Sequence, residues 1–248
     1  MGGVSLCLVQ NFHRVFPKYV FICFVILSIQ SCGIYRTNDV VVPQFQHKGQ
    51  VYTSFSGNAG GWNAHAGYAF SQHFAVLGKA MVGYPSKFTY SDSNYTDFKE
   101  EFYEFGLGYF QKDSSNWTNE FYLLGGRGYT LSNVASVKKG LESKKADFTR
   151  ITAQFNFGKS RKHLGFLISP NIQYLQFNTA TNNSAPMDIN KYYFLVGCAA
   201  TFFVKLPYGF KVSIQQSSFL PVSFQRDEFT SGVAPFDFSF GISKVFGR

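Results

Sequence analysis

The sequence predicts an all-β fold: an antiparallel up-and-down transmembrane β-barrel of about ten strands, preceded by a lipoprotein signal peptide. Three observations carry this expectation. Apolar and polar residues alternate with period two over most of the chain, the spacing that sends successive side chains to opposite faces of a strand. Many of these runs reach the roughly 9–11 residues that a tilted strand needs to cross a bilayer. The connections between runs alternate short and long, as in barrels with short periplasmic turns and longer external loops.

Composition removes the other classes. Of 248 residues, 45% are hydrophobic and only 15% charged, with 30 Phe, 15 Tyr, 2 Trp and 23 Gly. Disordered chains carry many charges and few aromatics. The mean hydropathy is −0.07, and at most one apolar run approaches the roughly 20 residues of a membrane helix. The +9 formal charge is spread along the chain without a basic helix, which argues against nucleic acid as a partner.

The N-terminus reads as a secretory signal. His13, Arg14 and Lys18 precede an apolar run from Tyr19 to Ile29, and Cys32 follows. Ile29-Gln30-Ser31-Cys32-Gly33 resembles a bacterial lipobox, although Gln30 departs from the usual small or branched residue. The resemblance implies cleavage after residue 31, a covalent lipid on Cys32, and a lipidated tether over 32–48. The barrel domain then covers 49–248. Cys7 and Cys23 fall in the signal, so Cys32 and Cys198 remain, and lipidation of Cys32 leaves no pair for a disulfide.

The strands are expected at 50–56, 61–70, 74–84, 98–110, 119–130, 147–158, 163–176, 190–205, 209–217 and 235–246. The clearest sets Thr149, Ile151, Ala153, Phe155 and Phe157 against Arg150, Thr152, Gln154 and Asn156. The second sets Trp62, Tyr68 and Phe70 against Asn63, His65 and Gly67, and the fourth sets Tyr103, Phe105, Leu107 and Tyr109 against Glu100 and Glu104. The seventh contains Pro170, which removes a ladder hydrogen bond and calls for a bulge or a later start. The first and ninth are weakest, which leaves eight strands as the alternative. An even number places both barrel termini on the periplasmic side, and a lipid on Cys32 is then expected in the inner leaflet, where the first strand begins.

Residues 41–84 open with Val-Val-Pro-Gln-Phe-Gln-His-Lys-Gly-Gln-Val. They continue through Gly-Gly-Trp-Asn-Ala-His-Ala-Gly-Tyr-Ala-Phe-Ser-Gln-His-Phe-Ala-Val-Leu-Gly. This stretch resembles uncharacterised outer-membrane β-barrel lipoproteins of the Bacteroidota type. The resemblance covers about the first third of the mature chain and implies no established activity. The C-terminal strand, with Phe246 in phase with Phe236, Phe238 and Phe240, resembles a barrel-insertion signal, but Phe246 is third from the end rather than terminal.

Motifs for chemistry are weak. Gly158-Lys159-Ser160 ends like a phosphate loop, but Ala153 stands where the pattern needs Gly and strand-like residues follow. Gly125-Gly126-Arg127-Gly128 lacks the dinucleotide-binding spacing, and the five His show no metal-ligand spacing. The outer loops hold Asp92, Asp97, Asp188 and Asp227 but no His, which disfavours a His-dependent hydrolase. Lys138, Lys139, Lys144 and Lys145 beside Glu142 form a basic outer loop able to meet lipopolysaccharide phosphates. The strongest clue is a set of inward-facing charges: Lys79, Glu100, Glu104, Arg150, Lys211 and Asp237. They are expected to pair with one another, because a desolvated lone charge is costly.

The leading expectation is therefore a lipid-anchored bacterial outer-membrane barrel with a structural or interaction role. It is expected to have no catalysis, metal or cofactor beyond the Cys32 lipid. Its implied partners are outer-membrane lipid, lipopolysaccharide, and the barrel-assembly and lipoprotein-processing machinery. The alternatives are a soluble, lipid-tethered periplasmic barrel or sandwich with its aromatics inside, binding an apolar ligand, and an outer-membrane hydrolase.

Overall fold

A computed structural model describes residues 39–58, 61–83, 88–91, 94–112, 117–136, 140–186, 192–222 and 236–247. The signal segment 1–31 and Cys32 lie outside the described residues. Among those described, ten long strands occur in order: β1 (Val51–Asn58), β2 (Gly61–Ala69), β3 (Phe74–Gly83), β4 (Asn94–Lys112), β5 (Trp117–Ser136), β6 (Gly140–Ser160), β7 (Leu164–Asn182), β8 (Tyr192–Lys205), β9 (Phe210–Pro221) and β10 (Phe236–Phe246). Each pairs antiparallel with its neighbours, and β1 pairs with β10 from Val51↔Phe246 to Asn58↔Ser239, which closes the barrel. Both weakly signalled strands, β1 and β9, are present, so the count is ten rather than eight. Two short strands, Phe88–Ser91 and Ala185–Pro186, fold back onto the ends of β4 and β7.

Alternation divides the wall as the sequence indicates. On β2, Trp62, Ala64, Ala66 and Tyr68 are exposed, as is Phe70 just beyond its end, while Asn63, His65 and Gly67 are buried. On β6, Ile151, Phe155 and Phe157 point out, and Arg150, Thr152, Gln154 and Asn156 are buried. Phe105 (72% exposed), Phe240 (64%), Phe202 (61%) and Leu107 (61%) belong to an apolar belt around the outside. Such a belt outside a closed antiparallel sheet is the surface a transmembrane barrel presents to lipid. A soluble barrel holding an apolar ligand would turn these residues inward, and they face the other way.

Three expectations need correction. The inner face is not simply polar and small. Glycines on one strand make room for aromatics from the next: a Cβ on Gly108 would lie 2.0 Å from the Tyr122 ring, and one on Gly165 would lie 2.0 Å from Phe203. Two apolar clusters result. One holds Phe45, Tyr52, Phe110 and Tyr122, and the other holds Phe102, Phe148, Phe177 and Tyr193.

Next, the stretch 131–146 is mostly strand rather than loop. β5 and β6 stay paired from Trp117↔Lys159 to Ser136↔Gly140. Lys144 meets Glu142 at 3.4 Å and Lys145 lies 5.3 Å from the Tyr129 ring centre. Lys138 and Lys139 lie outside the described residues, as do Asp92, Asp188 and Asp227. The apolar alternation stops in this stretch while the backbone ladder continues.

Finally, Pro170 sits inside β7, exposed, with no bulge. The β6–β7 register is the same at Gln154↔Asn171 and Phe157↔Ile168, on either side of a two-residue gap in pairing. The one irregularity between these strands lies at Asp147/Phe148. A proline on the outer face forfeits local pairing to one neighbour without shifting the strand.

The connections at the end where β1 begins, after β2, β4, β6 and β8, are uniformly short at three or four residues, while those at the other end range from two residues after β1 and three after β5 to fourteen after β9. Ser71 Oγ accepts from the N–H groups of His73 and Phe74 at 3.2 and 2.8 Å. The hairpin from Leu206 to Phe210 turns through Tyr208 (φ 61°) and Gly209 (φ 78°), the left-handed conformation that glycine adopts without steric cost.

Candidate functional site

A ten-stranded barrel is wider than the eight-stranded kind, whose own side chains just fill it. Here the extra space is taken by residues 39–45. Gly49 N–H donates to Ala69 C=O at 2.7 Å at the rim, Gln46 and Lys48 are exposed beside it, and the chain from Phe45 back to Asp39 lies inside. The segment expected as a simple tether is therefore a plug, and it is apolar where a solvated tether need not be: Val40, Val41 and Phe45 are buried.

A strand-free segment in a closed lumen must find partners for its backbone. Amide side chains of the wall provide them. Gln215 grips Val40 at both groups, accepting from its N–H (2.6 Å) and donating to its C=O (3.1 Å). Gln154 and Asn156 both donate to Val41 C=O, at 2.6 and 2.9 Å. Glu120 accepts from Phe45 N–H at 3.0 Å and from Asn156 Nδ2 at 3.1 Å. Between these points the chain turns at Pro43-Gln44, where Gln44 holds a left-handed φ of 60°. Lys211 fixes that turn by donating to Gln44 Oε1 at 2.6 Å.

Asp39 is the deepest described residue of the plug. Its carboxylate accepts from Ser56 Oγ, lies 3.1 Å from His65 Nε2 and 4.0 Å from Lys79 Nζ, and Lys79 also donates to Asp39 C=O. Burial alone would raise its pKa. The nearby His65 and Lys79, with the Ser56 hydroxyl, outweigh burial and hold the carboxyl below the usual aspartate range. Ser, His and Asp thus meet, but the Asp is in the middle. A hydrolytic triad needs the His between the other two, and here Ser56 and His65 each bind Asp39.

All six charges singled out from the sequence are on inward positions, and Lys79 lies within electrostatic reach of Glu104, Arg150 and Asp237 as well as Asp39. Arg150 and Glu104 make a two-pronged pair at 2.9 and 2.8 Å, with Thr152 donating to the same carboxylate and the Phe102 ring 3.8 Å below the guanidinium. Lys79 instead serves Asp39. Lys211 serves Gln44, and Asp237 accepts from Asn58 at 2.7 Å. Glu100 is buried on the same face of β4 as Glu104. The sequence reading missed the amides and Glu120, because it looked for charges that pair with charges. Among the described residues, no group of three His, Cys, Asp or Glu side chains is placed to hold a metal.

No protein-family model and no curated protein matches the chain. Solved structures do. The translocator domain of the autotransporter NalP from Neisseria meningitidis is 6% identical, with 80% of this chain and 86% of that one covered and a TM-score of 0.41. CarO from Acinetobacter baumannii is 10% identical, covering 83% and 98%, with a TM-score of 0.29. OmpT, an outer membrane protein of Vibrio cholerae, is 10% identical, covering 80% and 96%, with a TM-score of 0.23. These likenesses say nothing of what this chain does.

Proposed function

We propose that the chain is a lipid-anchored barrel of a bacterial outer membrane, with a structural or interaction role and no catalysis. The observation that carries this reading is the lumen, occupied by the chain's own residues 39–45, whose backbone is hydrogen-bonded to the wall at Val40, Val41 and Phe45. That occupation supports a barrel without a substrate path through it. The apolar belt supports membrane insertion. The short turns gathered at the end where β1 begins support periplasmic barrel termini. The lipobox-like sequence supports acylation of Cys32. Lipid contacts, lipopolysaccharide at the long outer ribbons, and passage through the barrel-assembly and lipoprotein-processing machinery follow from the same reading.

Three measurements test it. Outer-membrane fractionation with heat-modifiable gel migration is expected to show a membrane barrel, and recovery as a soluble periplasmic monomer would overturn the reading. In planar bilayers the native protein is expected to be silent, while replacing residues 39–46 with a Gly/Ser stretch is expected to give steady conductance. Metabolic labelling with an alkyne fatty acid is expected to mark the native chain and not Cys32→Ala.

A further inference from the structure

The outside of a barrel is convex, yet one part of this one is not. At the short-turn end, where β6–β9 meet, a groove of about 490 Å³ opens on the outer face, within the roughly 300–1,000 Å³ range of small-molecule sites. Its walls are Leu164, Phe202, Val204, Val212 and Ile214, all exposed and all apolar, with the Phe166 ring tilted against Phe202 at 4.6 Å between ring centres. Two cations, Lys159 and Arg161, close the end nearest the turn. Lys159 also lies 5.7 Å from the ring of the outward-facing Trp117, the kind of aromatic that marks the lipid–water boundary.

Among the described residues, the charge around the groove has one sign. Lys48, Arg161 and Lys162 are exposed at this end, and Lys244 is half-buried on β10. The described acidic side chains are elsewhere. Asp39, Glu100, Glu104, Glu120 and Asp237 are turned into the lumen. Glu101, Glu142 and Asp147 lie toward the opposite end, on the ribbons of β4 and β6.

We propose that this groove is a binding site for an anionic phospholipid of the inner leaflet. An acyl chain lies along the apolar walls, and the headgroup phosphate sits against Lys159 and Arg161. Guanidinium and ammonium groups are strong donors to phosphate oxygens, and an apolar groove bordered by two cations matches the two parts of an amphiphile. The choice of leaflet rests on the periplasmic orientation proposed above; binding by the purified protein does not, so the two ideas fail separately.

Native mass spectrometry of the full chain, released from detergent with added phosphatidylglycerol, phosphatidylethanolamine or lipid A, tests the site. The wild type is expected to retain phosphatidylglycerol in preference to phosphatidylethanolamine. Lys159→Gln with Arg161→Gln is expected to lower phosphatidylglycerol retention roughly ten- to thirty-fold, from about 1 kcal/mol per basic group. Val204→Trp fills the groove without touching the charges and is expected to reduce retention of both phospholipids. Heat-modifiable migration of each variant reports that the barrel is intact. Equal retention of the two phospholipids by the wild type overturns the site, as does a preference that survives both sets of substitutions. Stronger retention of lipid A than of phosphatidylglycerol, lost in the same variants, overturns the assignment to a phospholipid.

Discussion

At Arg150 and Glu104 the barrel holds a charge pair almost wholly out of water, joined by two hydrogen bonds and roofed by an aromatic ring. Such a pair contributes little relative to an apolar replacement, but removing one partner strands the other. Arg150→Leu is therefore expected to cost about 3–5 kcal/mol in urea unfolding of the folded barrel, and Arg150→Leu with Glu104→Gln is expected to recover most of it. Asp39 gives a second test. Its docked pKa is lowered, so it stabilises the docked plug above the ordinary aspartate pKa of about 4. That contribution fades as pH falls from there through the docked value. Heat-modifiable migration measured against pH is expected to show stability falling on the acid side of about pH 4. Asp39→Asn is expected to flatten this dependence.

Among the elements, the strands show how much of the fold the sequence makes legible. Where one face meets lipid and the other the lumen, period two gives both the strand and its orientation, and β2, β4 and β6 face as their residues indicate. From Leu131 to Ser136 and from Gly140 to Lys145 no apolar–polar alternation marks the strand in the sequence, and only backbone pairing extends it. The plug was illegible for a different reason. Gln215 holds Val40 across 175 positions, and a side-chain amide bound to a distant backbone leaves no periodic trace. What the sequence did offer was the run Val40-Val41-Val42 with Phe45, too apolar for a free tether. The glycine–aromatic pairs between strands are a further element-scale device. Gly108→Val puts a branched side chain against the buried Tyr122 ring, and is expected to cost about 1–3 kcal/mol by overpacking, read by urea unfolding.

At the scale of the whole molecule, the near-zero mean hydropathy conceals a barrel with an apolar outside and a mixed, filled inside. Trp62 and Trp117 are both outward and about half exposed. In vesicles of brominated phospholipid their fluorescence is expected to be strongly quenched; unquenched emission would mean that the belt does not meet lipid. The plug adds a mechanical consequence. Its shallow end is continuous with β1, and its deep end is Asp39. Cys32 is seven residues further on, a reach of about 25 Å at full extension. On the acylation of Cys32 proposed above, a lipid would moor the deep end to the bilayer as β1 moors the shallow end to the wall. A strap fixed at both ends has no free end to swing clear, so closure of the lumen becomes a matter of attachment as well as affinity. Cys32→Ser, with one mooring cut, is expected to show brief openings in planar bilayers that the acylated protein lacks.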